Sequence, residues 1–366
     1  MKVEVTQANL NKALSIVGRV AGGRTSLPIL SNVLLSVEDN QLKLAATNLE
    51  VAITQHIGAK VSEPGSITVP ARLMSDFINS LPDSNIQLSV EENKLSIKAK
   101  GYSSTINGVS SEEFPSIPIV SAKNPLVITG KNLKGVIAQT IVAASSDEAR
   151  PVLTGVFTYV HEGSLLAVAT DSYRLAEKVI QVKTNLNELS VIVPAKTFAE
   201  IQRIVSDEDS VQLHFDDVQM LVEVGDVQIV SKLIDGKFPA YKQLIPEKSD
   251  VSFKIERKEL LNATKVAALF ARESAGSITL EVSEDDNSVS IASVASQVGN
   301  NNSTLSTTVK GSGSVTLNSR YLIDALNAIN DQELTFRFSG STNPCILEPT
   351  GEEKQNYLHV VMPLRS

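Results

Sequence analysis

The four histidines, His56, His161, His214 and His359, lie far apart in the chain, with no second His or paired Cys at metal-ligand spacing. The single cysteine, Cys345, can form neither an intrachain disulfide nor a thiolate cluster. Gly311-Ser312-Gly313 lacks the third glycine and the following helix of a dinucleotide loop. Gly130-Lys131 lacks the upstream Gly and the Ser or Thr of a phosphate-binding loop. Carboxylates are plentiful but scattered. These patterns predict no catalytic residue, no metal and no cofactor. What remains is binding chemistry. With no Trp and 4% aromatic residues the chain has few faces on which bases could stack, which argues against a single-strand binder. Contact with duplex phosphates needs only Lys and Arg, yet the net charge is −8, so such contact requires that the charges be segregated.

The elements that would position those charges are legible from periodicity. Six amphipathic segments are predicted as helices: 7–20, 70–81, 131–144, 194–206, 256–272 and 319–330. Leu10, Ala13, Leu14, Val17 and Ala21 fall on one face of the first, and Leu73, Phe77 and Leu81 mark the second. Leu322, Ala325, Leu326 and Ile329 keep helical spacing in the last. Summed over their Lys, Arg, Asp and Glu, these segments are net positive, so the strands and loops are more acidic than the whole chain. Such a chain attracts phosphate on its helical side and repels it elsewhere. Between the helices, runs such as Asn32 to Val37, Gln41 to Ala46, Gln87 to Val90 and Lys94 to Lys98 alternate with period two, as half-buried antiparallel strands do. The expected class is α+β.

The pattern is written three times. Val69-Pro70-Ala71 recurs as Val193-Pro194-Ala195, and Leu317-Asn318-Ser319 holds the matching place in the last third. Leu27-Pro28-Ile29-Leu30 pairs with Arg150-Pro151-Val152-Leu153, Ala46-Thr47-Asn48 with Ala169-Thr170-Asp171, and Phe114-Pro115 with Phe238-Pro239. The offsets are 123 or 124 residues. That period is far beyond a solenoid repeat, so each copy is a domain. Proline gathers at Pro115 to Pro118 and at Ile245-Pro246, which places the domains at 1–120, 121–246 and 247–366. No run approaches the ~18 apolar residues of a membrane span, and the opening residues do not read as a signal peptide. A cytoplasmic protein is expected.

In order along the chain, Met1-Lys2, Gly22-Gly23-Arg24, Leu27-Pro28-Ile29-Leu30, Ala169-Thr170-Asp171 with Arg174-Leu175-Ala176, Ser231 to Pro239 and the terminal Val360 to Arg365 resemble the landmarks of the bacterial DNA sliding clamps, the β subunit of the replicative DNA polymerase. The resemblance covers the whole chain. It implies three repeated clamp domains, each with two helices packed on antiparallel sheet, and a head-to-tail homodimeric ring with helices lining the pore. Helix dimensions agree with a dimer. Helices about 9 Å apart and about 10 Å thick leave a hole of only about 7 Å when six close a ring, and about 24 Å when twelve do. Only the larger admits a duplex.

The resemblance further implies a clamp that encircles duplex DNA without regard to sequence and tethers the replicative polymerase, the clamp loader and other DNA enzymes through short linear peptides. It makes Arg24 and the equivalent Arg150 DNA contacts, with Lys12, Arg19, Arg72, Lys131, Lys134, Lys196 and Arg203 as further pore candidates. The family's partner-peptide pocket carries over to Leu153, Thr170, Ser172, Tyr173, Arg174, Leu175, Pro239, Leu244, Val360, Val361, Met362, Pro363, Leu364 and Arg365. On its own chemistry the Val-Val-Met-Pro-Leu run is unusually apolar for a chain end, which suggests packing in a strand with apolar surface left for a ligand. At the dimer seam, an edge strand near Lys98 to Val109 would meet Leu269, Phe270 and Asn302 to Thr307. Asn300 to Thr304 carries no charge, so backbone pairing with apolar packing is expected there. On the residues alone, a protein-only adaptor and a hydrolase with a site assembled from distant residues remain open.

Overall fold

Alternating runs become strands and the amphipathic segments become helices throughout. The computed structural model describes all residues except 23–26, 119, 121–124, 185–188, 296–298 and 365–366. The helices are α1 (Gln7–Val17), α2 (Ala71–Ser80), α3 (Gly130–Thr140), α4 (Ala195–Ile204), α5 (Arg257–Phe270) and α6 (Ser319–Ala328). Each falls on a predicted segment but is shorter; after α3, residues Ile141–Ala143 tighten into a 3-10 turn. The Thr6 hydroxyl accepts from Asn9 N at 3.3 Å and caps α1, and Asn318 caps α6 by accepting from Arg320 N at 2.9 Å. Leu10, Ala13, Leu14 and Val17 are buried on α1, as are Leu322, Ala325, Leu326 and Ile329 on α6 and just after it. The face of α2 is corrected. Ala71, Met74 and Ile78 point inward with Leu81, while Leu73 is exposed and Phe77 only partly buried. No described helix is long and apolar enough to cross a membrane.

Every described strand pair is antiparallel, and the described strands form four sheets. The chain packs as two units. One comprises Met1–Lys131 with Ala199–Leu233, and the other Asn132–Phe198 with the rest from Ile234. The first unit holds a five-stranded sheet in the order Lys60–Glu63, Lys2–Thr6, Asn85–Glu91, Lys94–Ala99, Tyr102–Asn107. Its eight-stranded sheet runs Leu126–Thr129, Ser210–Phe215, Gln219–Val224, Val227–Lys232, Val51–Gly58, Gln41–Thr47, Asn32–Glu38, Ser66–Pro70. Here strands of the first and second repeats join, with Val51 opposite Ser231.

The second unit contains a nine-stranded sheet: Ser190–Pro194, Gly155–His161, Ser164–Thr170, Arg174–Gln181, Tyr357–Val361, Cys345–Pro349, Glu333–Phe338, Val251–Glu256, Val309–Lys310. Second and third repeats join in it, with Arg174 opposite Val361. A four-stranded sheet runs Gly299–Ser306, Ser288–Ala295, Ser277–Ser283, Gly313–Asn318. Three sequence repeats thus give two packing units because sheets continue from one repeat into the next.

Candidate functional site

The described basic residues named for phosphate contact sit on helices or beside them. Lys12 is exposed on α1, and Arg19, just after it, lies 3.9 Å from Glu200. Arg72 on α2 is almost wholly exposed, 3.9 Å from Asp76. Lys131 is exposed and Lys134 half-buried on α3. On α4, Lys196 pairs with Glu148 at 3.1 Å and Arg203 with Glu200 at 2.5 Å, both exposed. Arg24 lies outside the described residues. Sequence reasoning named no residue of the third repeat for this role, although exposed Lys258 and Lys265 on α5 and Arg320 on α6 contribute to the same helical charge.

Arg150 precedes the 3-10 turn Pro151–Leu153. Its Nε donates to Asp147 at 3.0 Å and its Nη1 to Ser172 Oγ at 3.0 Å. The backbone N–H of Ala149, then the Arg150 guanidinium, hold the Asp147 carboxyl below its ordinary value.

The candidate partner pocket is gathered at the join between the second and third repeats. A tight turn begins it. Thr170 Oγ1 donates to the Arg174 carbonyl at 2.7 Å and accepts from Ser172 N at 3.1 Å, while Asp171 accepts from the backbone of Tyr173 and Arg174. These bonds hold Ser172 at φ 80°, in the left-handed region. Arg174 is nearly buried. It bonds Asp171 at 3.0 Å and Asp324 at 2.6 Å, and its guanidinium lies 4.6 Å from the Tyr321 ring centroid. Tyr173 stacks on the same tyrosine at 6.4 Å. Such a charge-assisted, stacked guanidinium ties the turn to Asp324 and Tyr321.

Leu153, Leu175 and Val360 pack in one apolar cluster with Val168, Ile192, Phe238, Tyr241 and Ile346. Pro239 and Leu244 are exposed on the segment that supplies Phe238 and Tyr241. The tail packs as a strand: Val360 and Val361 are buried in Tyr357–Val361, which pairs on both sides. Met362, Pro363 and Leu364 are half-buried, held by Met362 N to the Tyr173 carbonyl and Leu364 N to the Thr316 carbonyl, each at 2.8 Å. Arg365 lies outside the described residues.

A cavity of about 820 Å³ adjoins this cluster, lined among others by Phe157, Tyr159, Leu189, Phe238, Pro239 and Lys242. Only Pro239 is shared with the pocket read from sequence. Phe157 stacks on both Tyr159 and Phe238 at 5.0 Å, and the Tyr159 and Tyr241 hydroxyls meet at 2.9 Å. Burial first, then the hydrogen bond to Glu177, raises the Tyr241 pKa, so this hydroxyl stays a donor. The available signal was the i, i+2 spacing of Phe157 and Tyr159 beside Phe238 and Tyr241, in a chain with only 10 Phe and 6 Tyr.

The DNA polymerase III beta subunit family matches almost end to end: its N-terminal domain at residues 1–118, its central domain at 127–240 and its C-terminal domain at 242–365. The chain is 33% identical over 355 residues to the beta sliding clamp of Staphylococcus aureus, covering 94% of this chain and 93% of that one. Among solved structures it resembles the DNA polymerase III subunit beta of Pseudomonas aeruginosa, with 30% identity, a TM-score of 0.95 and 100% of both chains covered. It also resembles the sliding clamp of Bacillus subtilis, with 25% identity, a TM-score of 0.95, and 100% of this chain and 99% of that one covered. A Pseudomonas aeruginosa clamp solved with griselimycin bound matches with a TM-score of 0.94.

Proposed function

The chain belongs to the DNA polymerase III beta subunit family, the beta sliding clamps, and from that premise we propose that two copies close head to tail into a ring around duplex DNA. It is a processivity factor of DNA replication and not an enzyme. Its domains span 1–120, 121–246 and 247–366, and it works in the cytoplasm beside the DNA.

The observation that carries the ring is a pair of open sheet edges. Tyr102–Asn107 ends a sheet in the first repeat and Gly299–Ser306 ends one in the third. Unpaired edges invite pairing with another chain. Exposed Tyr102 in the one repeat, and exposed Leu269 and Val294 in the other, supply apolar packing at such a seam. Two different edges meeting make a heterologous contact, and with two copies it closes.

Phosphate contact then falls to Arg24, Arg150, Lys12, Arg19, Arg72, Lys131, Lys134, Lys196 and Arg203, with Lys258, Lys265 and Arg320 added from the third repeat. It is sequence-independent because only phosphates are addressed. The Leu153–Leu175–Val360 cluster, with the turn at Ser172, exposed Leu244 and the half-buried Met362 to Leu364, takes linear peptides of the polymerase, the clamp loader and other DNA enzymes.

Retention on circular DNA tests the ring. Loaded on a nicked circle the protein should stay, and after the circle is cut it should slide off the ends. Equal retention on both forms would mean direct binding instead of topological linkage.

A further inference from the structure

We propose that the join between the first and second repeats carries a second docking pocket for linear peptides, sized for one aliphatic side chain. The turn that opens the partner pocket is written twice. Thr47-Asn48-Leu49-Glu50-Val51 stands 123 residues before Thr170-Asp171-Ser172-Tyr173-Arg174, and the hydrogen bonds repeat atom for atom. Thr47 Oγ1 donates to the Val51 carbonyl at 3.0 Å and accepts from Leu49 N at 3.0 Å, and Asn48 Oδ1 accepts from the backbone of Glu50 and Val51. Leu49 sits at φ 75°, as Ser172 sits at 80°. A leucine in the left-handed region is strained, and here the strain holds a side chain that is 45% exposed.

Strand register repeats as well. Val51 faces Ser231 as Arg174 faces Val361, so Val230 takes the place of Val360, and Lys232 that of Met362. Phe114-Pro115 repeats Phe238-Pro239. Around this turn lies a cavity of about 240 Å³, lined by Leu49, Ala52, Pro115, Pro118, Gln219 and Val230 among others.

The differences set what it accepts. Ala52 replaces Leu175, and Val120, the counterpart of exposed Leu244, is folded into an apolar cluster with Leu221 and Val230. The volume falls below the roughly 300 Å³ at which whole-ligand pockets begin, so the site takes one Val- or Leu-sized anchor. Glu50 and Lys232 also line it, one charge of each sign. That rim suits a peptide flanked by mixed charges and does not suit a nucleic acid, whose phosphates Glu50 would repel. The occupant is a short linear segment of a partner protein. The inference rests on reading the Leu153–Leu175–Val360 cluster as a peptide site.

The test is a methyl-labelled NMR titration of the full chain with N-acetyl-leucine methylamide. The methyl signals of Leu49, Val51, Ala52 and Val230 should shift with a Kd in the millimolar range, alongside those of Leu153, Leu175 and Val360. Ser116→Trp, an exposed position in the cavity lining, should weaken the first set at least tenfold and leave the second unchanged. Shifts confined to Leu153, Leu175 and Val360 would overturn the second pocket and leave the partner reading intact. Shifts confined to the Leu49 set would support the second pocket and sink the partner reading, and shifts at neither would overturn both. If Ser116→Trp leaves the Leu49 set unaffected, those shifts arise elsewhere and the second pocket is wrong.

Discussion

Arg150 Nη1 donates to Ser172 Oγ at 3.0 Å, so a candidate phosphate contact is hydrogen-bonded to the turn that borders the docking cluster. The same guanidinium pairs with Asp147. These two bonds use two of the guanidinium's five N–H donors, so a phosphate met by the others would be tied through Arg150 to a turn held at positive φ. A DNA contact made by Arg150 would therefore be coupled to peptide docking at this turn.

Arg150→Ala and Ser172→Ala should each change peptide affinity by about twofold to fivefold, the scale of an exposed charge-assisted bond. Fluorescence titration of a polymerase-derived peptide checks this, with and without DNA present. Unchanged affinity in both variants would mean the two loops act separately.

Reversing Arg24 and Arg150 to Glu should weaken DNA contact and leave dimerisation intact. The salt dependence should also become shallower, the slope of log K against log salt falling by about 0.9 for each phosphate that is no longer neutralised. Binding measured across 50 to 200 mM salt on duplexes of different sequence decides it. A strong preference among sequences would contradict contact by phosphates alone.

The docking cluster divides into anchors and foundation. Leu175 is 3% exposed, so Leu175→Ala should cost about 2–5 kcal/mol of stability whatever it does to binding. Leu244 is 49% exposed, and Leu244→Ala should weaken peptide binding about tenfold at an unchanged melting temperature. Met362→Ala should behave like Leu244→Ala in binding. Removing residues 360–366 should unfold the joined sheet, because Val360 and Val361 pair on both sides. Thermal melts read beside peptide titrations separate the two classes, and a wild-type peptide affinity in folded Leu244→Ala and Met362→Ala would place the docking site elsewhere.

His359 gives the fold an acid sensitivity. It is fully buried, with Nδ1 2.8 Å from the Tyr357 hydroxyl and Nε2 without a partner among the described residues. Burial first, then the positive charge of Arg174, lowers its pKa from 6.5 to about 3. It stays neutral in the folded chain and gains a proton on unfolding. This contribution is fully present above pH 6.5 and is lost as pH falls toward about 3, at about 1.4 kcal/mol per unit. Denaturant melts should lose about 2 kcal/mol from this group between pH 7 and pH 5, and His359→Phe should flatten that slope. Parallel slopes in both proteins would show that other groups carry the acid response.

Local periodicity was enough to read α1 and α6, because each carries a single apolar stripe. On α2 two stripes overlap: Leu73-Phe77-Leu81 and Ala71-Met74-Ile78-Leu81 are both apolar. Which one turns inward depends on how the preceding strand enters the helix at Pro70, a tertiary matter that spacing does not encode. The joining of sheets was equally hidden, since Arg174 meets Val361 across the whole third repeat and pairing partners leave no mark in composition. Of the pocket residues carried over by resemblance, Leu153, Leu175 and Val360 share one apolar cluster. The aromatic wall of Phe157 and Tyr159 falls on a strand whose alternation reads as ordinary sheet.

The strand Tyr357–Val361 also sets a hazard during synthesis. Arg174–Gln181 pairs with Ser164–Thr170 on one side as soon as the hairpin closes, but on the other side it waits for residues made only after the intervening third repeat. Throughout that interval a nascent chain presents an unpaired edge, half of it apolar, of the kind that recruits strands from other chains. Any delay in translating the stretch between Lys178 and Tyr357 lengthens the exposure. Soluble yield should therefore respond to elongation rate and chaperone cover in that stretch as well as to the stability of the finished molecule.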